Sequence, residues 1–399
     1  MVRSTPPTVL VTDGEHRATL AVVRSLGRAG HRVIVASSRR HSLAGSSRYA
    51  THTLEVPDPL EAPEAFTEAL VAATHHWRPD VVLPVTDAAL RSLLPVRESL
   101  AGVVPFGPAE VVRRAANKPE VLRVAETLGF QVPRQILLSR PDEATDSALA
   151  SLSWPIVVKP GSSVSDGPDG QIKLGVSWAS DVEHVRAITR SLPASAFPVL
   201  LQERVDGPGT GVFLLRWDGR TLAAFAHERI REKPPSGGVS VCSVSVTPDR
   251  ELVAHAEALL AALEWQGPAM VECKRDARTG TPYLMEVNGR FWGSLQLAVD
   301  AGVDFPRLLV DAALGRPPSS PPTWLPGVRM RWWWGEVDHV IACLRHSELA
   351  EASAGARLAV LRTFLFPGRG TRNEVLRRHD PMPALRETID WFASIRRRP

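Results

Sequence analysis

The run Tyr283-Leu-Met-Glu-Val-Asn-Gly-Arg290 carries a carboxylate and an amide two residues apart, at Glu286 and Asn288. Apolar and polar residues alternate along it, as they do in Ala269-Met-Val-Glu-Cys-Lys274, and this period predicts two half-buried strands. Glu286 and Asn288 then share one strand face. If the strands pair through a turn at 276–280, Glu272 joins them. The three side chains form a set of hard oxygen ligands suited to Mg²⁺; solvated carboxylates on an ordinary hairpin are the alternative interpretation.

Length and composition exclude several classes of protein. The 399 residues are 44% hydrophobic and 23% charged, which is typical of a soluble chain of two or three domains. No apolar run approaches the ~20 residues needed to span a bilayer, and no signal peptide is predicted. The net charge of +4 comes without a basic stripe interleaved with aromatic residues, so no nucleic-acid partner is expected. Three scattered cysteines show no zinc or disulfide spacing, which predicts a reducing cytoplasm.

Lysine is rare in this chain. Lys and Arg total 47, yet lysines occur only at five positions: Lys118, Lys159, Lys173, Lys233 and Lys274. A chain that otherwise uses arginine has more use for lysine as a compact charge, as in phosphate binding. Lys159 ends a predicted buried strand and opens the Gly- and Ser-rich stretch 160–170, whose N–H groups and hydroxyls can surround phosphate oxygens. An ordinary flexible surface loop is the alternative.

Strand and helix patterns alternate over residues 8–110, which predicts a parallel sheet flanked by helices. Strands are predicted at 8–12, 31–36, 80–86 and 103–106, with helices at 15–29 and 62–76. No G-x-G-x-x-G follows the first strand, so no dinucleotide site is inferred, although a ligand at the carboxyl edge of the sheet fits the general rule. Asn117 is expected to cap a helix that continues to Leu128.

Two further segments carry candidate ligand-binding residues. Gln202-Glu-Arg-Val205 is predicted to be a strand that connects one lobe to the next. Exposed backbone N–H and C=O groups there could form hydrogen bonds with the edge of a purine. His227, Arg229 and Arg231 alternate along a strand, so they share a face beside the Gly-bearing turn 234–240. These cations are candidates to receive a substrate carboxylate or phosphate, or they form a solvated sheet face. Beyond a Pro-rich linker at 317–322, helices are predicted over 336–361 and 382–396, with the Trp332–Trp334 cluster packed in a core.

The order of these segments resembles the ATP-grasp superfamily, most closely its carboxylate–amine ligases and carbamoyl-phosphate-synthase-like members. The resemblance covers roughly residues 8–315, and the acidic hairpin ending in E-x-N-x-R is its most specific part. It implies an α/β fold with an α+β ATP-grasp core. The implied domains are a Rossmann-like, parallel-sheet pre-ATP-grasp domain (1–116), a small lobe (117–198), a large lobe with the Mg/ATP site (199–316) and a helical C-terminal extension (317–399).

The resemblance also implies a role for individual residues. The family's phosphate-binding lysines match Lys118 and Lys159, and the loop that covers the phosphates contains Ser162 and Ser163. The hinge that binds adenine matches Gln202, Glu203 and Val205, and the metal ligands match Glu272, Glu286 and Asn288. The cation that holds the charged intermediate matches Arg290, with Arg229 and Arg231 as further candidates. The chain departs from the family pattern where Gln202 replaces an acid and where Gly209-Thr-Gly211 stands in the usual place of an acidic ribose partner. No ribose contact is therefore assigned.

The implied function is an ATP-dependent ligase that activates a carboxylate as an acyl phosphate and couples it to an amine. ATP and Mg²⁺, or Mn²⁺ in its place, are the expected cofactors, and small molecules are the expected partners, with no membrane and with a homodimer left open. One alternative is a bicarbonate-activating carboxylase or carbamoyl-phosphate-synthase-like enzyme. Another is an ATP-binding module without turnover, which would bind ATP but release no ADP.

Overall fold

A computed structural model of the chain describes residues 6–235, 237–345 and 354–396. The strands, in chain order, are β1 (Thr8–Val11), β2 (Arg32–Ser37), β3 (His52–Glu55), β4 (Val81–Leu83), β5 (Gln135–Leu138), β6 (Ile156–Pro160), β7 (Val164–Gly167), β8 (Gly170–Lys173), β9 (Ser177–Ala179), β10 (Val199–Glu203), β11 (Gly209–Trp217), β12 (Arg220–Lys233), β13 (Val239–Val246), β14 (Gly267–Arg275), β15 (Pro282–Asn288), β16 (Arg329–Arg331) and β17 (Arg372–Asn373).

The helices are α1 (Arg17–Arg28), α2 (Pro63–Trp77), α3 (Asp87–Leu93), α4 (Ala109–Ala116), α5 (Lys118–Thr127), α6 (Asp146–Leu149), α7 (Val182–Ser191), α8 (Arg250–Ala262), α9 (Leu295–Asp300), α10 (Phe305–Ala313), α11 (Trp333–Arg345), α12 (Ala354–Leu365) and α13 (Met382–Arg396). No helix within the described ranges is both long enough and apolar enough to cross a bilayer. Part of the helix predicted over 336–361, residues 346–353, lies outside the described residues, as does Ser236 of the predicted turn.

The chain divides into two compact units. The first contains residues 1–55, 223–248 and 292–399. Its β1 and β2 pair in parallel, as the alternation of strand and helix patterns predicts, and β3, a strand that these patterns did not predict, pairs in parallel with β2. β12, β13 and β16 form an antiparallel sheet to which β17 adds in parallel. The apolar strand β1 is completely buried, which is the usual state of a parallel strand covered on both faces.

A buried ion pair joins α1 to the C-terminal segment within this unit. Arg24 and Asp380 each keep only 1% of their side-chain surface exposed, and Arg24 Nε donates to Asp380 Oδ2 at 2.8 Å. Three of the four other guanidinium N–H groups donate to the carbonyl oxygens of Glu374, Val375 and Asp380. A buried charge needs such hydrogen bonds to offset its lost hydration. The segment 374–380 is therefore an integral part of this unit.

The tryptophan cluster packs only partly within this unit and not in a core as predicted, because Trp332 and Trp334 are half-buried and Trp333 is 42% exposed. Trp334 stacks on Trp391 with ring centroids 4.0 Å apart, and Trp332 Nε1 donates to Glu387 at 2.6 Å. Both partners lie on α13, so this helix packs against the residues at the start of α11 and just before it. Burial raises the pKa of Glu387 to about 7, and the hydrogen bond from Trp332 opposes that rise.

The second unit contains residues 56–222 and 249–291. One sheet has the strand order β5-β10-β6-β9, with β10 antiparallel to both of its neighbours. Strands β11, β14 and β15 form a second antiparallel set, and β7 and β8 form a small hairpin. Asn117 caps α5 through a hydrogen bond from the Glu120 amide, as predicted. The predicted mixed α/β architecture, with a parallel N-terminal sheet and C-terminal helices, is confirmed.

Candidate active site

The acidic hairpin forms as the sequence predicts. β14 and β15 pair antiparallel, with Glu272 directly opposite Glu286 and Met270 opposite Asn288. Asp276 closes the connecting turn, because its side chain accepts from the backbone amides of Arg278 and Thr279. Directly opposed residues on one sheet face have Cβ atoms only about 5 Å apart. The register therefore brings both carboxylates and the amide to one place.

Asn288 links the two carboxylates. Its Nδ2 donates to Glu286 Oε1 at 3.0 Å and to Glu272 Oε2 at 3.4 Å, while its Oδ1 accepts from Arg290 at 3.2 Å. Arg290 is fixed in turn by Asp87, whose Oδ2 accepts from Arg290 Nε at 2.7 Å. The charge of Asp87 keeps the pKa of Arg290 above its ordinary value although burial opposes this. Negative and positive groups thus alternate across the site.

Lys118 forms an ion pair with the acidic hairpin. It is the first residue of α5 and only 6% exposed, and its Nζ lies 3.2 Å from Glu286 Oε2 and 2.9 Å from Ser163 Oγ. Its backbone N–H donates to Gly161 O at 2.8 Å, which ties the helix start to the Gly- and Ser-rich stretch. Ser162 follows at the surface, with its Oγ 3.4 Å from Ala116 O. One ammonium group therefore contacts both the acidic hairpin and the predicted phosphate loop.

Lys159 approaches the same acids from β6. Its Nζ lies 3.6 Å from the Met285 sulfur. Burial lowers the pKa of Lys159 to about 8; the Glu286 carboxylate opposes this shift and the Lys118 charge adds to it. For Glu286, burial alone would raise the pKa, but the charges of Lys118 and Lys159 and the Asn288 hydrogen bond outweigh it and lower the pKa. The two lysines and Glu286 therefore form one coupled electrostatic group.

A cavity of about 830 Å³ opens beside this group. Lys118, Ser163, Glu286 and Asn288 line it, together with residues from α2, α3, α4 and the β7–β8 hairpin. Its volume lies within the range usual for small-molecule sites. Polar groups from four separate segments of the chain converge on this one cavity, as an active site requires.

The predicted hinge residues lie on and just after β10. Gln202 is buried, and its amide donates to the Gln135 side chain on the neighbouring strand β5. Glu203 Oε1 accepts from the Ser153 amide at 2.9 Å. Val205 O accepts from Lys274 Nζ at 3.4 Å. None of these three predicted residues is among those that line the cavity of about 830 Å³.

Arg229 and Arg231 belong to the other unit, on β12. Arg229 pairs with Glu232 at 3.0 Å and also donates to Gly238 O. Arg231 Nε donates to Glu336 Oε1 at 2.6 Å, and Arg331 contacts the same buried carboxylate. The neighbouring His227 is buried against Ser294, and burial lowers its pKa to about 3. These arginines have partners within their own unit, and their predicted substrate role stays a prediction.

Sequence reasoning missed three residues around the site. Asp87 follows the end of β4, at the sheet edge where a ligand was expected, but nothing in the sequence connects it with Arg290. Lys274 is one of the five lysines, which was a usable signal, and it contacts the hinge at Val205 O. Gln171 carried no signal, because a single polar residue just after a Gly- and Ser-rich stretch is ordinary.

Comparison with known proteins supports the resemblance to ATP-grasp proteins. The family described as "ATP-grasp in the biosynthetic pathway with Ter operon" matches residues 195–335. The formate-dependent phosphoribosylglycinamide formyltransferase of Parasynechococcus marenigrum (strain WH8102) is 33% identical over 217 residues, which are 51% of this chain and 53% of that enzyme. The chain therefore spans about half the length of this curated relative.

Solved structures share the fold at low identity. L-amino acid ligase from Bacillus licheniformis is 19% identical, with a TM-score of 0.61 over 80% of this chain and 76% of that one. N5-carboxyaminoimidazole synthetase from Staphylococcus aureus, solved with ADP, is 13% identical, with a TM-score of 0.61 over 82% of each chain. These structures agree with the family match on an ATP-grasp architecture. The chain therefore has the ATP-grasp fold, and its residues 195–335 match an ATP-grasp family model.

Proposed function

We propose that this chain is an ATP-dependent ligase that phosphorylates a small carboxylic acid and joins the acyl group to an amine. One observation carries the proposal. Lys118 Nζ lies between Ser163 Oγ and Glu286 Oε2, at 2.9 and 3.2 Å, on the wall of a cavity of about 830 Å³. A phosphate group beside this ammonium would meet a hydroxyl, a lysine and the acidic hairpin together.

The nucleotide would bind with its phosphates toward Lys118 and Lys159. Both ammonium groups already interact with Glu286, and Lys159 is held half-buried, where a second anion nearby favours its charged form. Ser163 and the amides of the Gly- and Ser-rich stretch supply hydrogen bonds to phosphate oxygens. The hinge around Glu203 and Val205 is proposed to receive the adenine, on the family resemblance described above.

The acidic hairpin fits a divalent cation. Glu272 and Glu286 offer carboxylate oxygens, which Mg²⁺ prefers, and Asn288, whose Nδ2 donates to both carboxylates in this structure, would offer its Oδ1 once the amide turns around. Two carboxylates and one amide leave about half of an octahedral shell to phosphate and water. When bound, Mg²⁺ would neutralise charge on the phosphates. We therefore expect Mg²⁺ to bind weakly alone and tightly with ATP.

The proposed reaction needs no nucleophile from the protein. A carboxylate oxygen of the substrate attacks the γ-phosphorus, the bond from that phosphorus to the β–γ bridging oxygen breaks, and ADP leaves. The amine nitrogen then attacks the acyl carbon, phosphate leaves, and the nitrogen loses a proton. Arg290, held by Asp87 and Asn288, would orient the negatively charged acid and the developing acyl phosphate.

The relatives are consistent with this chemistry. The relative that is 33% identical is named for its dependence on formate, a small carboxylate, and the Bacillus licheniformis protein is named as an amino acid ligase. We propose the same general reaction here, with small-molecule partners in the cytoplasm. The domain boundaries at 116, 198 and 316 are proposed on the same resemblance.

The test is an ATP-dependent phosphate-release assay with pairs of small acids and amines, followed by mass spectrometry of the products. Bicarbonate is included as one acid. We expect turnover that needs both partners and is lost in Glu286→Gln, while Glu251→Gln, a matched change at an exposed position of α8, retains it. Turnover with bicarbonate alone would favour a carboxylase. ATP binding without turnover under any pairing would overturn the ligase assignment.

A further inference from the structure

The tip of the β7–β8 hairpin is fastened to the segment 59–61 and to α3. The side-chain amide of Gln171 donates to Pro59 O at 3.0 Å, to Ser92 Oγ at 3.0 Å and to Ala88 O at 3.3 Å. Its backbone N–H donates to Leu60 O at 2.7 Å. One residue of the loop thus makes four polar contacts with a part of the chain about eighty to one hundred and ten residues away.

Arg91 on α3 makes a second connection. Its Nε donates to Gln171 Oε1 at 3.2 Å, and its NH2 pairs with Asp166 Oδ1 at 2.7 Å. The Asp166 side chain is 83% exposed, so this ion pair contributes little by itself. The contacts of Gln171, which is half-buried, therefore carry most of the attachment.

Gly170 allows the hairpin tip to lie against the backbone of 60–61, because glycine has no Cβ. A Cβ at this position would lie 2.6 Å from Leu60 O and 2.9 Å from Glu61 O, and both obstructing atoms belong to the backbone. A side chain cannot be accommodated there unless the hairpin moves away. Five residues further on, a Cβ at Gly175 would meet nothing within 4 Å. The close approach is therefore specific to the hairpin tip.

Both segments that this attachment joins also carry residues of the proposed site. The base of the loop holds Ser163 against Lys118, and the Leu174 amide donates to Ser163 O at 2.9 Å. On the other side, α3 begins with Asp87, the partner of Arg290. The helix that receives the loop tip is thus the helix that orients the arginine of the proposed site.

We propose that Gln171 is a positioning residue, which with Gly170 clasps the loop 161–173 onto α3 and holds Ser163 and Lys118 ready for phosphate before any nucleotide binds. The inference rests on the proposed function for its effect on ATP. The clasp itself is a property of the nucleotide-free protein and can be tested without any substrate.

Hydrogen–deuterium exchange of peptides covering 163–174, in the full chain without nucleotide, tests the clasp. We expect Gln171→Met and Gly170→Ala, which break the attachment by different routes, to speed exchange there about tenfold or more, because each lost hydrogen bond shifts local opening by several-fold. Gly175→Ala is the matched control and should exchange like wild type. The melting temperature should hardly move, since the opening is local.

The same variants are then titrated with Mg-ATP by calorimetry. We expect Gln171→Met and Gly170→Ala to raise the Kd about tenfold and Gly175→Ala to leave it unchanged. Unchanged exchange at 163–174 in both variants would overturn the proposal, and so would faster exchange with an unchanged Kd. Faster exchange across the whole chain with a lower melting temperature would show a structural role instead. A wild-type protein that binds no ATP would refute the proposed function, and exchange alone would then decide whether the clasp exists.

Discussion

Proton uptake on nucleotide binding is the sharpest consequence of Lys159, the half-buried lysine at the end of β6. Burial lowers the pKa of Lys159 to about 8 in the nucleotide-free protein, whereas its ordinary value is 10.5. A triphosphate beside it restores the charged form, so the pKa rises again in the complex. Binding must therefore take up the fraction of a proton that Lys159 has lost, which is about 0.1 at pH 7, half at pH 8 and about 0.9 at pH 9.

The pKa shift of Lys159 also makes the affinity for ATP depend on pH. Above pH 8 each further pH unit should weaken ATP binding about tenfold, or about 1.4 kcal/mol, until the pKa of the complex is reached. The folding stability of the nucleotide-free protein depends on pH in the opposite direction. Between about pH 8 and 10.5 the unfolded chain binds more protons at Lys159 than the folded one, so the stability of the nucleotide-free protein rises with pH across that window.

The assay is calorimetry of Mg-ATP binding in two buffers of different ionisation enthalpy at pH 8, 8.5 and 9, where a phosphate group, with a second pKa of about 6, no longer titrates. Lys159→Arg should abolish the proton uptake and keep binding, because arginine stays charged. Lys173→Met changes an exposed lysine and should leave the uptake intact. No uptake in wild type at pH 9, or full uptake in Lys159→Arg, would refute the reasoning.

Three further predictions concern the site and the fold. Glu286→Gln should reduce ATP turnover by about a thousandfold while circular dichroism shows a folded protein, because its charge holds both lysines and the proposed metal; turnover near wild type would contradict this. Asp87→Asn should lower kcat/KM by roughly tenfold to a hundredfold, measured by phosphate release, because Arg290 loses its ion pair. Asp380→Ala should cost roughly 3–5 kcal/mol in the free energy of unfolding, measured with urea, because it leaves Arg24 buried and unpaired; a change below about 1 kcal/mol would rule out that account.

The acidic hairpin shows what the sequence could predict. Its period-2 pattern determines which residues share a face, and its short Asp276–Gly280 turn fixes the pairing, so the convergence of Glu272, Glu286 and Asn288 followed from local rules. The structure confirms the pairing, with Glu272 opposite Glu286. The catalytic roles of these residues stay predictions until turnover is measured.

Contacts between distant segments could not be predicted in the same way. The stretch 160–170 was expected to be a loop, since Gly, Ser and Asp disfavour strands, yet β7 and β8 form a hairpin within and beyond it. Its attachment through Gln171 depends on backbone oxygens of Pro59 and Ala88, which no local pattern reveals. The partnership of Asp87 with Arg290 spans 203 positions and likewise arises only from the tertiary fold.

The surroundings of Arg24 limit how this protein can be shortened. Every acceptor that its guanidinium uses is supplied by residues 374–380, although the arginine itself lies near the start of the chain. A truncation before Glu374 would leave an uncompensated cation inside an apolar interior, so α1 and the strands beside it would lose their support. Fragments cut to the segment shared with other enzymes should therefore fold poorly, whereas deletions that spare 374–380 should be tolerated far better.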